Sequence, residues 1–227
     1  MKYRLICRPL LVLAFLLGTV HRGSAQGAKG QPGPATVDSA NVAYRGGMVS
    51  PPLPKPKFTL TDTSGVPFDL ASKTQGYTTL LFFGYTHCPD MCPMQMHMIA
   101  QALKETPPSI ANQFRVVFVT TDPGRDSPQV LRTYLDRLNK SFIGLTGSQA
   151  AIDAAQIAAN MPPAKKSAVR PDGGYGVGHA SFVLAYTKDN LAHVIYPVGM
   201  KEEDLAHDLR YLANETWANP ASKAINH

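Results

Sequence analysis

The sequence is poor in cysteine, with only three in 227 residues. Cys7 lies close to the N-terminus, so the rest of the chain holds only Cys88 and Cys92, which three residues separate. A framework of several disulfides, as in small secreted domains, is therefore excluded. The two thiols can pair only with each other or with a metal ion.

The chain also lacks a long apolar run near its start. The run Leu10 to Val20 has 11 residues, whereas a membrane-spanning helix needs about 18 or more. Basic residues precede the run and small residues follow it: Lys2, Arg4 and Arg8 before, and Gly23, Ser24 and Ala25 after. This pattern is typical of a signal peptide. We predict that residues 1–25 are removed, rather than kept as an anchor, and that the protein is exported to a bacterial periplasm or the outer face of the cytoplasmic membrane.

A large excess of charge is also missing once the N-terminal segment is set aside. The formal net charge is +6, and residues 1–25 contribute four basic side chains and no acidic one, which leaves +2 for the remainder. Such a balance gives no reason to expect a nucleic-acid partner. Within the chain itself, only the N-terminal segment is expected to contact a membrane.

Composition divides the remaining chain into three parts. Residues 26–56 are rich in glycine and proline, and we interpret them as a flexible arm because they cannot build a core. Residues 57–214 are long enough for one domain with an ample core. Residues 215–227 are expected to form a C-terminal tail.

Hydrophobic patterns in this domain alternate between strands and helices. Four runs rich in β-branched and aromatic residues predict strands: Thr78–Phe83, Arg115–Thr120, Ser181–Tyr186 and Ala192–Tyr196. Four segments with helical patterns lie between or after them: Pro93–Glu105, Ser127–Leu138, Gln149–Asn160 and Glu202–Asn214. This order predicts an α/β sandwich with a central mixed sheet, in which the first two strands are parallel and the last two form a hairpin.

The cysteines lie between the first strand and the first helix, an arrangement typical of thioredoxin. Pro93 suits the first helical position, which would leave Cys92 at the helix start. Because backbone donors and the helix dipole lower the pKa of thiols there, we expect both Cys88 and Cys92 to be reactive.

The spacing of the two cysteines leaves two chemistries open. Three intervening residues still allow the Cα atoms to approach within disulfide range, about 4.4–6.8 Å. They also allow both sulfurs to face one ion. Two thiolates suit Cu(I), and an added imidazole would let the site hold Cu(II) as well. A copper site therefore requires a third ligand.

Three histidines are candidates for that ligand. His179 ends a glycine-rich loop directly before a predicted strand, a position from which a side chain can reach another loop. His87 adjoins Cys88, and we interpret it as a structural hydrogen-bonding residue because neighbouring residues rarely face the same ion. His97 lies past one turn of the predicted helix and is interpreted as a surface residue.

Three separated segments together resemble the Sco/SenC family. They are the run Gly84 to Pro93 (GYTHCPDMCP), the run Thr120 to Pro128 (TTDPGRDSP) and His179 before a strand. The resemblance covers about Lys57 to Leu212. It implies a thioredoxin-like, peroxiredoxin-related three-layer sandwich with a central mixed sheet.

The same resemblance implies a function. Cys88, Cys92 and His179 would bind one copper ion per chain, as Cu(I) or Cu(II). The protein would be a metallochaperone, without turnover of substrate, that helps assemble the dinuclear copper centre of cytochrome c oxidase. Its partners would be the copper-centre subunit of the oxidase and a periplasmic thiol reductant or copper donor. Apart from its N-terminal segment, the protein would associate with the membrane only through this oxidase client.

Asp122 and the methionines near the cysteines each have competing interpretations. Asp122 follows the second strand and either positions the copper site or a docking partner, or forms a salt-bridged turn with Arg125 and Asp126. The methionines after Cys88 are interpreted as core filler, except that Met91 lies inside the cysteine loop, where its sulfur could make a weak extra contact with copper. These methionines are Met91, Met94, Met96 and Met98.

An enzymatic alternative uses the same cysteines. Cys88 and Cys92 could be the redox pair of a thiol:disulfide oxidoreductase acting on the oxidase copper site or on another exported protein. That activity would need both thiols and would not need His179. Peroxide reduction is less well supported, because no activating set of arginine and threonine can be placed around a cysteine, and Thr86 alone is insufficient.

Overall fold

The computed structural model describes residues 44–171, 173–215 and 217. The predicted signal peptide, the first part of the predicted arm to residue 43, and residues 218–227 of the tail lie outside the described residues. Within the described residues, no helix is long and apolar enough to cross a membrane.

Ten strands and six helices make up the described chain. The strands are β1 (Gly47–Pro54), β2 (Thr59–Asp62), β3 (Pro67–Asp69), β4 (Thr78–Gly84), β5 (Phe114–Thr120), β6 (Ile143–Thr146), β7 (Lys165–Lys166), β8 (Val177–Gly178), β9 (Phe182–Tyr186) and β10 (Leu191–Pro197). The helices are α1 (Leu70–Lys73), α2 (Met91–Glu105), α3 (Pro108–Ala111), α4 (Pro128–Asp136), α5 (Gln149–Ala158) and α6 (Glu202–Leu212).

Eight of the strands form one mixed sheet, in the order β1-β10-β9-β4-β5-β6-β2-β3. Strands β4, β5 and β6 are parallel neighbours, and β9 pairs antiparallel with both β4 and β10. The predicted mixed sheet, the parallel first pair and the final hairpin are therefore confirmed. The short strands β7 and β8 pair with each other outside this sheet.

The central strand β4 is buried along its whole length because helices cover both faces of the sheet. Its side chains alternate between two hydrophobic clusters: Leu80 and Phe82 enter one, and Leu81 and Phe83 enter the other. Helices α2, α4 and α6 supply apolar residues to the first cluster, and α5 supplies them to the second. The result is the predicted three-layer sandwich.

The predicted boundary between arm and domain at residue 57 is wrong. Strand β1 pairs antiparallel with β10 and forms one edge of the main sheet, and Tyr44 before it is buried. Three of the eight residues of β1 are prolines, which hid the strand in the sequence. An edge strand tolerates proline because one side of its backbone has no partner strand.

The predicted tail also begins inside the fold. Trp217 stacks on His193 with ring centroids 3.9 Å apart, and on Tyr44 at 5.6 Å. The chain therefore enters and leaves the described domain at adjoining positions, where Tyr44 donates a hydrogen bond to Glu215 at 3.1 Å.

Candidate metal centre

The centre lies where β4 and β5 end at the same edge of the sheet. Gly84 and Thr120 are paired across the two strands, and the backbone N–H of Thr121 donates to the carbonyl of Gly84 at 2.7 Å. The cysteine loop leaves β4 at this edge, and the loop containing Asp122 leaves β5. Parallel strands thus bring two distant sequence segments together.

Helix α2 starts two residues earlier than predicted, at Met91, and its N-cap residue is Asp90. Cys92 is consequently inside the first turn. The Asp90 side chain makes no capping hydrogen bond, whereas the N–H of Cys92 points to the sulfur of Cys88, at 3.4 Å. Cys88, rather than the Cys92 side chain inside the first turn, therefore receives this helix-end donor.

The two thiols have opposite electrostatics. For Cys88, partial burial opposes ionisation, but hydrogen bonds from the backbone of Asp90 and Cys92 outweigh it and hold the pKa of the thiol below its ordinary value. Cys92 is fully buried, and this burial raises the pKa of its thiol far above the ordinary value. The expectation that both thiols have a lowered pKa is therefore wrong for Cys92.

This asymmetry predicts different alkylation rates. Because the thiolate is the nucleophile, we expect Cys88 to react with iodoacetamide at a lower pH than an ordinary cysteine, and Cys92 to react only at a higher one. Mass spectrometry of a pH series would measure each thiol separately in a Cys7→Ser/Cys92→Ser and a Cys7→Ser/Cys88→Ser chain. Equal rates across the pH range would contradict the assignment.

His179 reaches the cysteines from the loop before β9. Its Nε2 lies 3.4 Å from Sγ of Cys92, and its Nδ1 lies 3.0 Å from the carbonyl oxygen of Ala180. A carbonyl only accepts, so Nδ1 carries the proton and Nε2 presents its lone pair to the sulfur. Burial lowers the pKa of the imidazole, which keeps it neutral at pH 7.

Aromatic rings fix the orientation of that imidazole. Phe82 and Tyr85 both meet it edge to face, with ring centroids 6.0 and 5.9 Å away. Together with the Ala180 carbonyl, they leave only the Nε2 edge of the ring facing Cys92. A metal-binding histidine commonly has its other nitrogen held in this way.

The donor set fits a soft metal ion. Bond lengths of about 2.0–2.3 Å to an imidazole nitrogen and a thiolate sulfur, at a near-tetrahedral angle, place these two atoms roughly 3.5 Å apart. Cys92 and His179 already have this separation. Among the described residues, no three His, Cys, Asp or Glu side chains are already closed around one point, so binding by three ligands at once would require at least one of them to move.

Asp126 anchors the start of the cysteine loop. It is fully buried and accepts hydrogen bonds from the backbone N–H of Thr86 at 2.9 Å, and from the hydroxyls of Thr86 and Thr120, both at 2.6 Å. His87 also contacts it, with Nδ1 3.3 Å from the carboxylate. The structural interpretation of His87 is confirmed. The role of Asp126 was missed, because sequence placed it only in a turn with Arg125.

Comparison with known proteins identifies the family of this chain. A profile described as SCO1/SenC matches residues 49–214. The chain belongs to the SCO1/SenC family. The match includes the three segments of the candidate centre and most of β1, in agreement with the corrected start of the domain.

Relatives of known structure in the SCO1/SenC family share this fold. Bradyrhizobium japonicum ScoI with copper bound has a TM-score of 0.62 and 30% identity, covering 70% of this chain and 99% of that one. Yeast Sco1 with copper bound has a TM-score of 0.66 and 25% identity, covering 78% and 96%. An SCO2-like protein of Rickettsia prowazekii is 30% identical over 64% of this chain and 71% of its own length.

In this SCO1/SenC chain, Asp122 is a buried carboxylate in an ion cluster with partly exposed cations, and among the described residues none of its ion pairs involves the cysteine loop. It pairs with Arg125, accepts a hydrogen bond from the Tyr175 hydroxyl at 3.0 Å, and lies 3.3 Å from Nζ of Lys166. Burial opposes its ionisation, but these partners hold the pKa of the carboxyl below its usual value. The predicted ion pair with Arg125 is present. Lys166 lies on β7, which pairs with β8 next to His179, so the cluster also ties this region to the end of β5.

The four methionines after Cys88 fall into two groups. Met96 and Met98 are buried in the first hydrophobic cluster, as predicted for core filler. Met91 and Met94 are 43% and 46% exposed. The core-filler interpretation is therefore wrong for Met94. His97 is exposed, as predicted, and contacts Gln101 at the surface.

Proposed function

We propose that this protein is a copper metallochaperone that binds one copper ion tightly through Cys88, Cys92 and His179 and helps assemble the dinuclear copper centre of cytochrome c oxidase. The observation that carries the proposal is the 3.4 Å separation between Nε2 of His179 and the Cys92 sulfur, with Nδ1 of the same ring held 3.0 Å from the Ala180 carbonyl. Membership of the SCO1/SenC family and the copper-bound structures of its relatives support it.

The three proposed ligands differ in burial and ionisation, and they have different roles in copper binding and release. Cys92 forms the buried side of the centre, whereas Cys88 and His179 are only partly buried. Its lowered pKa makes Cys88 the more readily ionised of the two thiols, and therefore the first to bind an incoming ion. A thiolate of the client can replace the ligands one at a time, beginning from the Cys88 side, so that copper is never released to water.

Copper binding requires the reduced dithiol. Oxidation would join Cys88 and Cys92 and remove both sulfur ligands, so a reductant must keep the pair open. No disulfide joins the cysteines in the part of the chain that the structure describes. We propose that the protein works in the periplasm or on the outer face of the cytoplasmic membrane, with a thiol reductant or copper donor and the oxidase copper subunit as partners.

Copper titration of the full chain tests this function. A Cys7→Ser background leaves only the proposed pair of thiols, and the protein is titrated after reduction and again after oxidation to the disulfide. We expect one tightly bound copper per reduced chain and none per oxidised chain. A reduced chain without tight copper binding would rule out the metallochaperone.

The asymmetry of the thiols favours a second candidate, a thiol:disulfide oxidoreductase. The Cys88 thiolate would attack a target disulfide and form a mixed disulfide, releasing one target thiolate. Cys92 would then lose its proton and attack the Cys88 sulfur, which frees the second target thiolate and leaves a Cys88–Cys92 disulfide. The target gains the two electrons that the pair loses, and a periplasmic thiol reductant restores the pair.

The two candidates differ in their need for the imidazole. A reductase assay on a disulfide-containing peptide would lose activity in Cys88→Ser and Cys92→Ser, and would keep it in His179→Ala. Activity that survives loss of either cysteine would exclude the oxidoreductase.

A further inference from the structure

The exposed side of α2 begins inside the cysteine loop with an unusual choice of residues. Met91 and Met94 occupy its first two exposed positions, at 43% and 46% exposure, and His97 follows on the same stripe. All three side chains carry an atom that can bind copper. The stripe thus starts at the candidate copper centre and leads away from it along the helix.

Core packing does not account for these two methionines. The buried apolar positions of α2 are taken by other residues, among them Met96 and Met98. Neither Met91 nor Met94 belongs to either hydrophobic cluster of the described residues. A solvent-facing helical position is ordinarily polar, so two adjacent exposed thioethers call for another explanation.

Their spacing lets both sulfurs reach one ion. Residues three apart on a helix have Cβ atoms about 5–6 Å from each other, and methionine has three rotatable bonds beyond the backbone. Met94 and His97 have the same spacing. Thioether sulfur is a soft ligand that selects Cu(I), and imidazole also suits copper.

A carboxylate lies next to the pair. Asp90 is exposed, immediately precedes Met91, and does not use its side chain to cap the helix. Thioether and imidazole ligands do not neutralise the charge of a bound cation. A nearby carboxylate would therefore attract Cu(I) to these ligands from water.

We propose that Met91 and Met94 form a second, weaker Cu(I) site, with His97 as a third ligand, and that this site captures copper for Cys88 and Cys92. The binding site stands on the exposed side chains alone, while the capture role rests on the proposed function. Met91 lies between the two cysteines in sequence, so an ion on its sulfur is already at the loop. Transfer would break thioether–copper bonds and form thiolate–copper bonds, release the thiol proton to water, and leave copper as Cu(I).

The site can be tested without the thiols. In a full chain with Cys7, Cys88 and Cys92 all changed to serine, Cu(I) is added anaerobically in competition with bicinchoninate, and the methionine methyl groups are followed by NMR. We expect one weakly bound Cu(I), with shifts for the methyl groups of Met91 and Met94 and none for those of Met96 and Met98.

Leucine variants provide the matched comparison. Met91→Leu/Met94→Leu removes both sulfurs while keeping a similar side-chain volume, and it should abolish the weak binding of Cu(I). Met98→Leu makes the same change at a buried position and should keep it. Methyl signals that do not move, or a weak equivalent that survives in Met91→Leu/Met94→Leu, would overturn the site.

The capture role needs the cysteines restored. In a Cys7→Ser chain, Met91→Leu/Met94→Leu should slow loading of the tight site from the Cu(I)–bicinchoninate complex and leave the final tight copper content unchanged. An unchanged loading rate would overturn the capture role. If the Cys7→Ser chain that keeps Met91 and Met94 did not bind copper tightly, the proposed function itself would be contradicted. The two failures are therefore distinguishable.

Discussion

Replacing His179 with alanine is expected to abolish the intense thiolate-to-Cu(II) absorption band and to weaken Cu(II) binding by more than about 100-fold. Loss of a residue that merely orients a metal ligand already costs about 10- to 100-fold, and His179 would be the ligand itself. Cu(I) should be affected less, because two thiolates remain as soft ligands. Absorption spectra and competition titrations of the Cys7→Ser chain, with and without His179→Ala, measure both effects.

His87→Ala is the matched control for this prediction. His87 is next to Cys88 in sequence, but its Nδ1 contacts the Asp126 carboxylate, and its side chain is 48% exposed. The copper spectrum should therefore survive its removal. If His179→Ala bound Cu(II) as tightly as the parent, the imidazole would not be a ligand, and the centre would be a thiol pair alone.

Strands could be predicted from the sequence where they are long and buried in the middle of the sheet. Edge strands and very short strands could not. β4 and β5 lie in the middle of the sheet and consist almost wholly of apolar and β-branched residues, so their sequence indicates strands. β1 contains three prolines and pairs through one edge, so its composition resembles that of a linker. β6 has only four residues and includes a glycine, too short a pattern to stand out.

The candidate centre was predictable in its members and not in its electrostatics. The cysteine loop is visible as a motif, and resemblance to a family supplied His179, which is 87 positions from Cys92. Which thiol accepts the helix-end donor depends on where α2 begins, and the predicted start at Pro93 gave no reason to expect the two thiols to differ. The role of Asp126 in anchoring the cysteine loop depends on hydrogen bonds from Thr86 and Thr120, which no sequence spacing reveals.

The beginning of the domain is held by a single buried carboxylate. Asp208 on α6 is fully buried and accepts hydrogen bonds from the backbone N–H groups of Arg45 and Gly46, each at 2.9 Å to Oδ2. The hydroxyl of Tyr196 donates to the same oxygen at 3.1 Å, and Nδ1 of His207 lies 2.8 Å from the other. One side chain therefore joins the segment before β1 to β10 and α6.

Replacing Asp208 with alanine is accordingly expected to lower the free energy of unfolding by about 2–4 kcal/mol, because donors that cannot all reach water lose a charged acceptor. Asp204→Ala is the matched control: Asp204 lies one turn earlier on α6 and binds the Arg45 guanidinium at 2.8 Å, with side chains 29% and 47% exposed. An exposed ion pair of this kind is worth about 1 kcal/mol or less. Urea unfolding of the full chain measures both variants. Equal losses would mean that the segment before β1 is held by surface charge, and a small loss for Asp208→Ala would mean that β1 pairs with β10 without this anchor.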